Sequence, residues 1–241
     1  SNTTAPSIFD AEVHSPAILT MLTSVVPQVT AEQFKVEQLE DKDWVRAWMD
    51  NFKPMQFGER LWIVPTWCET PQPNAVNLIL DPGLAFGTGT HPTTSLCLSW
   101  LDAQELNNKT VIDYGCGSGI LAIAAKKLGA HNVMGTDIDP QAISASIENA
   151  KRNHTNIPFA LVKSFDSQPV DLVIANILAG PLKELAPEFK RLLKPGASLV
   201  LSGLLANQAD GLISHYQNHG IKLTQFESLE EWGLLAGKYE G

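Results

Sequence analysis

Val111-Ile-Asp-Tyr-Gly-Cys-Gly-Ser-Gly-Ile120 is a β-branched run that enters a glycine-rich turn and leaves it directly into a helical pattern. Glycine is required where the backbone takes φ > 0 or lies against a ligand with no Cβ between them. Gly115, Gly117 and Gly119 place three such positions at alternate residues. The strand-turn-helix order reads as a nucleotide-binding corner. A dinucleotide fingerprint, G-x-G-x-x-G, needs a glycine where Ile120 stands, and here an acid, Asp113, sits two residues before the first glycine. The spacing therefore disfavours a nicotinamide site.

The pattern D-x-G-x-G-x-G resembles the first motif of the class I S-adenosylmethionine-dependent methyltransferases. Outward from it, strand and helix patterns alternate in the way that builds a doubly wound α/β sheet, Rossmann-like, with helices on both faces. Strands are expected at 110–114, 131–137, 159–162, 170–175 and 198–202, and helices at 119–128, 140–153, 181–193 and 207–218. Pro140 suits a first helical turn, and Lys194-Pro195-Gly196 is expected to close the helix over 181–193. Two further strands, 221–227 and 232–239, are joined by too few residues for a crossover helix, so they are expected to be antiparallel neighbours. A terminal antiparallel hairpin is a feature of the methyltransferase class that the nicotinamide fold usually lacks.

The amino-terminal part has a different texture. Residues 1–40 read as strand, helix and strand of a partial α+β domain. Residues 41–75 read as a linker, with a helix over 41–51 and a hairpin carrying Phe57, Leu61, Trp62 and Ile63. The methyltransferase domain is then expected at 76–241. The tryptophans between 44 and 67 are read as packing rather than as a ligand cage.

Of the 241 residues, 44% are hydrophobic and 18% charged, and no apolar run is long enough to cross a bilayer. Three cysteines, Cys68, Cys97 and Cys116, at unrelated spacings fit reduced thiols in the cytoplasm better than a disulfide or zinc framework, and no metal is expected. The net charge of −9 argues against attraction to nucleic acid and suits a basic protein partner. The chain begins at Ser1-Asn2 with nothing resembling a secretory signal.

Four segments are expected to converge at the carboxyl ends of the strands, where open α/β sheets bind ligands. In the glycine turn, Asp113 either orders the turn or meets the cofactor's ammonium through water. Asp137, ending the second strand, can accept both ribose hydroxyls, while Asp139 before Pro140 is read as a helix cap. The run Leu84-Ala-Phe-Gly-Thr-Gly-Thr-His-Pro-Thr-Thr94 is either a lid or an ordinary capped helix start. Its threonines Thr88, Thr90, Thr93 and Thr94 could meet the cofactor's carboxylate, and His91 reads as a cap or loop residue rather than a base. Last, Asp171-Leu-Val-Ile-Ala-Asn176-Ile-Leu178 is a buried strand that ends in one polar side chain. Methyl transfer from a sulfonium chiefly needs alignment of a neutral nucleophile. The Asn176 carbonyl, with the backbone carbonyl of Ile177 or Leu178, can hold amine N–H groups for that purpose. The absence of a Pro-Pro-aromatic sequence after Asn176 argues against a flipped base as substrate.

The segments 81–94, 111–120, 137–140 and 175–180, together with Glu37-Gln-Leu-Glu-Asp-Lys-Asp-Trp44, closely resemble the bacterial ribosomal protein methyltransferase family that modifies protein eleven of the large subunit. The resemblance covers at least residues 37–241. It implies S-adenosyl-L-methionine as cofactor and transfer of several methyl groups to lysine side chains and an α-amino group of a basic ribosomal protein. It also implies no direct need for nucleic acid or membrane, and a monomer. By motif, the cofactor contacts carried over are Thr94, Gly115, Asp137 and Asn176, joined by Asp113, Gly117 and Gly119 of the turn. The catalytic set is Asn176, Ile177 and Leu178. Ala179 and Gly180 are small enough to admit an amine that is already methylated. Residues 1–40 match only about the second half of the family's substrate-recognition domain, from which normal cofactor binding and poor modification of the protein substrate are expected. The other readings of the sequence are a catalytically silent cofactor-binding module, such as a ribosome assembly factor, and a methyltransferase of small amines.

Overall fold

The computed structural model describes residues 52–81 and 91–241. The strand-helix-strand expected over 1–40, the helix over 41–51, and Thr88 and Thr90 lie outside the described residues. Two compact units divide the chain, Ser1–Phe52 and Lys53–Gly241. Every described residue except Phe52 belongs to the second.

The core of this second unit is a seven-stranded sheet. The parallel part is built from β4 (Thr110–Tyr114), β5 (Asn132–Asp137), β6 (Phe159–Leu161), β7 (Val170–Asn176) and β8 (Leu193–Leu205), and the antiparallel part from β9 (Ile221–Leu229) and β10 (Trp232–Tyr239). Their order is β6-β5-β4-β7-β8-β10-β9. The direction of winding reverses between β4 and β7, the two strands that carry the glycine turn and Asn176 at their carboxyl ends. That switch point is where a doubly wound sheet opens a crevice for a ligand. β10 lies between β8 and β9 and is antiparallel to both, as the short joint between the last two strands requires.

Alternation along the strands sorts the interior into two layers. Val111, Leu172, Ile174, Val200 and Leu234 face one side. There they meet α1 (Pro92–Asp102), α2 (Ile120–Lys127) and α3 (Pro140–Arg152). Ile112, Tyr114, Val173, Ala175, Leu199 and Leu201 face the other, under α4 (Ala179–Glu184), α5 (Ala186–Leu192) and α6 (Ala209–Gln217). The strands between the layers are apolar on both faces, as buried parallel strands are.

The one helix expected over 181–193 is two, α4 and α5, meeting at Leu185. Pro187 supplies no N–H and its ring conflicts with the carbonyl four residues earlier, so the helix stops and restarts with proline in the new first turn. Lys194-Pro195-Gly196 does not close a helix. It lies inside β8, which begins at Leu193 and crosses a register shift before Ser198 pairs with Leu172. Gly196 takes φ of 78° there, an irregularity the sequence alone reads as a stop.

A small sheet of β1 (Met55–Phe57), β2 (Leu61–Val64) and β3 (Val76–Ile79) accompanies the large one. The expected hairpin is β1-β2, and β3 adds parallel to β2. Two buried side chains clamp this sheet. Asp102, at the end of α1, accepts from the backbone N–H of Glu59 at 2.6 Å and of Arg60 at 3.2 Å, and the Arg60 guanidinium donates to its carbonyl. Asn153, after α3, accepts from Ile79 N–H at 2.7 Å and donates to Ile79 C=O at 2.7 Å, standing in for a strand partner.

Candidate active site

The glycine turn begins where β4 ends. Gly115, Gly117 and Gly119 all have positive φ, at 79°, 52° and 78°. A Cβ on Gly115 would run into Cγ2 of Ile177, and one on Gly119 would press on Ser146. Thr136 C=O accepts from the N–H groups of Gly115 and Cys116, tying the turn to β5.

Asp113 is wholly buried behind this turn. One carboxylate oxygen accepts from Ala122 N–H at 2.9 Å, within the first turn of α2, and the other has no partner among the described residues. Burial raises its pKa strongly against the pull of the Ala122 bond, and the Asp137 carboxylate adds to the rise, from 3.8 to about 7. The bond it makes ties the end of β4 to the first turn of α2, just past the glycine turn. Asp137 is half-buried at the carboxyl end of β5. Its Oδ2 accepts from Gly117 N–H at 2.9 Å and its Oδ1 from Asp139 N–H at 3.0 Å. Each oxygen keeps a second lone pair. Asp139 caps α3, accepting from Gln141 N–H at 2.8 Å.

Thr94 and Asn176 are brought together from distant parts of the chain. His91 caps α1, its Nδ1 accepting from Thr93 N–H, so the histidine is a cap, with its ring edge-on to Trp232 at 4.9 Å. Thr94 is buried in the first turn of α1, and the Nδ2 of Asn176 donates to its Oγ1 at 3.3 Å. The other end of the Asn176 amide, Oδ1, is buried and unpartnered among the described residues. Ile177 N–H donates to Ser202 C=O at 3.1 Å, and Leu178 C=O accepts from Leu182 N–H at 3.1 Å as the first helical bond of α4. The Ile177 carbonyl sits against Gly203, whose φ is 85° and whose missing Cβ would collide with it. Within Asn176-Ile177-Leu178 the Asn176 side-chain oxygen is a buried acceptor with no partner among the described residues.

Four further residues shape this region and are not singled out by the sequence. Ile138, directly after Asp137, is 84% exposed, an apolar side chain held out at the carboxyl edge. Gly203 fixes the path of the Asn176-Ile177 segment; a glycine at the end of an apolar strand signals close backbone approach, and that signal was available. Ser146 and Asn149 of α3 reach the turn from outside, and nothing in a helical pattern separates them from solvated positions. Cys97 and Cys116 are buried, and burial pushes both thiols up, so neither is a reactive nucleophile. Among the described residues no group of side chains could hold a metal ion, and no helix is long and apolar enough to cross a membrane.

The family model described as ribosomal protein L11 methyltransferase matches residues 1–240. The chain belongs to that family. A ribosomal protein L11 methyltransferase of Hydrogenovibrio crunogenus is 64% identical over 236 residues, covering 98% of this chain and 80% of that protein. One from Glaesserella parasuis is 57% identical over 240 residues, covering 98% and 81%. The crystal structure of a ribosomal protein L11 methylase from Lactobacillus delbrueckii subsp. bulgaricus superposes with a TM-score of 0.72 at 32% identity, covering 79% of this chain and all of that one. The chain is thus a methyltransferase of the class I, Rossmann-like fold, and its methyl donor is S-adenosylmethionine. The residues present fit that cofactor: a positive-φ glycine turn, a carboxylate beside it with lone pairs to spare, and a buried amide oxygen with no partner among the described residues.

Proposed function

We propose that this chain methylates ribosomal protein L11 repeatedly, on lysine ε-amines and the α-amine, with Asn176 aligning the accepting nitrogen. The observation that carries this reading is the buried Oδ1 of Asn176 at the switch point of the sheet, without a partner among the described residues. Its Nδ2 is taken by Thr94, which sets the amide's orientation. An oxygen so fixed accepts one N–H of an incoming amine and turns the nitrogen lone pair away from itself, into the crevice.

When bound, S-adenosylmethionine would supply an electrophilic methyl on a sulfonium: the S–CH3 bond breaks as the N–CH3 bond forms, S-adenosylhomocysteine is left as a neutral thioether, and the methylated nitrogen loses its proton to water before a further transfer. The glycine turn at 115–119 gives its methionine part a surface free of Cβ atoms. Asp137 accepts the ribose hydroxyls on its spare lone pairs, and Ile138 offers an apolar face to the flat base. Asp113 sits behind the turn and holds the start of α2 against it. A lysine amine has a reference pKa of about 10.4, and its neutral form is favoured by removal from water and by a nearby positive charge. The task left to Asn176 is alignment, which is the larger part of what such a transfer needs. Small side chains at Ala179 and Gly180 leave room for an amine that already carries methyl groups; a Cβ on Gly180 would meet nothing within 4 Å.

In this reading the enzyme acts as a monomer in the cytoplasm on the basic protein itself, without nucleic acid or membrane. The overall charge of −9 supports a basic partner. The test is intact-mass spectrometry of unmethylated L11 incubated with this chain and S-adenosylmethionine. Gain of several methylene increments on L11 is the expected result. Mass gained by free amines but not by L11 would overturn the substrate assignment, and no transfer to either, with cofactor bound, by this chain and by one carrying the family's whole recognition domain would overturn the enzymatic one.

A further inference from the structure

The glycine turn makes hydrogen bonds on the side away from the crevice that its own sequence does not explain. Ser146 Oγ donates to Gly117 C=O at 2.9 Å, and Asn149 Nδ2 donates to Ser118 C=O at 2.9 Å. Both side chains come from α3, three residues apart and so on one helical face. Ser146 is fully buried, and Cys116 Sγ lies 3.4 Å from its hydroxyl. Its size matters as well, since the space that a Cβ on Gly119 would need is bounded by Ser146 Cβ at 3.0 Å and Oγ at 3.1 Å.

With Asp137 accepting from Gly117 N–H, residue 117 is held at both its polar groups, N–H by the carboxylate and C=O by Ser146. We infer that Ser146 and Asn149 are positioning residues for the cofactor, turning the carbonyls of Gly117 and Ser118 toward α3 so that their partially negative oxygens do not face the ligand. The inference rests on the proposed assignment of the turn and Asp137 to the cofactor. A glycine-rich turn has many accessible backbone states. Without these two donors the peptide after Gly117 loses its tie to α3 and the peptide after Ser118 keeps only the bond from Gly119 N–H to Cys116 C=O at 2.7 Å, so the Gly117 N–H that aims the Asp137 carboxylate is held less firmly. The chain then binds cofactor from a mixture of turn conformations, of which only a fraction is competent, and apparent affinity falls by that fraction.

Asn153 lies on the same helical face one turn beyond Asn149, and it bonds strand β3 instead of the turn. It is the natural control. The experiment is calorimetric titration of the full chain with S-adenosylhomocysteine, alongside thermal melts without ligand, for Ser146→Ala, Asn149→Asp, Asn153→Ala and Asp137→Ala. Asn149→Asp keeps the shape and replaces the donor with an oxygen that repels Ser118 C=O. The expected result is a Kd raised about three- to tenfold for each of the first two, the range of one partly buried hydrogen bond. Asn153→Ala should lower the melting temperature and leave Kd within about twofold. In methyl transfer at saturating cofactor, Ser146→Ala and Asn149→Asp should keep kcat while KM for the cofactor rises. If Asp137→Ala weakens binding but Ser146→Ala and Asn149→Asp lower only the melting temperature, their role is structural and the inference is wrong. If Asp137→Ala leaves binding unchanged, the site assignment beneath it fails instead.

Discussion

Asn176 and Thr94, 82 positions apart in sequence, meet through one hydrogen bond from Nδ2 to Oγ1 at 3.3 Å, and that bond decides which end of the Asn176 amide is free. Removing the threonine hydroxyl in Thr94→Val leaves the amide free to rotate, with no change in bulk. Transfer to L11 should fall about tenfold through kcat, with cofactor affinity less affected. Asn176→Ala removes the acceptor itself and should cost about a hundredfold or more, the scale of a misplaced reactant. Steady-state kinetics with both substrates varied separates the two; equal effects of Thr94→Val and Asn176→Ala on cofactor binding alone would contradict the alignment role.

Asp113 makes the stability of the fold depend on pH in a direction opposite to most carboxylates. Its pKa is about 7 in the folded chain and 3.8 when unfolded, because burial disfavours the charged form. Between those values the folded state holds the proton and the unfolded state does not. Stability from this group is therefore greatest below pH 4, falls by up to about 1.4 kcal/mol per pH unit through the window, and levels off above pH 7. Asp113→Asn should flatten the change between pH 5 and 7 in urea unfolding. An unaltered slope in that variant would place the effect elsewhere.

The legibility of each feature in the sequence depends on the range of the interaction it rests on. The Val111–Ile120 run prescribes strand, turn and helix through short-range rules alone, and the structure follows it, the helix running Ile120–Lys127, one residue shorter at each end than expected. The antiparallel ending is equally legible, since the joint before Trp232 is too short for any alternative. The break at Leu185 is hidden because the apolar helical pattern continues across it, although Pro187 states the conflict locally. The extension of β8 back to Leu193 depends on pairing with Val170, a long-range contact that no local pattern encodes. In the site, Asp137 and Asn176 are visible as lone polar residues at strand ends. Ser146, Asn149 and the clamp by Asn153 are not, because the groups they satisfy are backbone atoms of other segments.

Gly203 supports the site from behind. Its φ of 85° and its contact with the Ile177 backbone leave no space for a side chain, and Ile177 in turn packs its Cγ2 where a Cβ on Gly115 would be. Gly203→Ala should destabilise by about 2–3 kcal/mol from backbone strain and overpacking combined. At about 2–4 °C per kcal/mol for a chain of this size, the melting temperature should drop by roughly 4–12 °C. Because the displaced segment carries Asn176, transfer should fall further than stability explains at a temperature where the variant is fully folded. A variant with wild-type melting and wild-type kcat would show that the segment has room the structure does not reveal.

Asn153 holds both backbone groups of Ile79, and Asp81 two residues later is paired with Arg152 at 3.1 Å, so the end of β3 depends on the carboxyl end of α3. Asn153→Ala leaves a half-buried N–H and C=O without their partner and should cost about 2–3 kcal/mol. Asn153→Asp keeps the acceptor for Ile79 N–H but loses the donor to Ile79 C=O, and should fall between wild type and Asn153→Ala. The Arg152 pair is partly exposed, so Arg152→Ala should cost no more than about 0.5 kcal/mol. Thermal melts rank the three, and hydrogen exchange locates the effect. The Ile79 amide should lose protection in Asn153→Ala while amides of β4 and β7 keep theirs. Uniform loss across both sheets would instead mean that the small sheet opens only when the whole unit does.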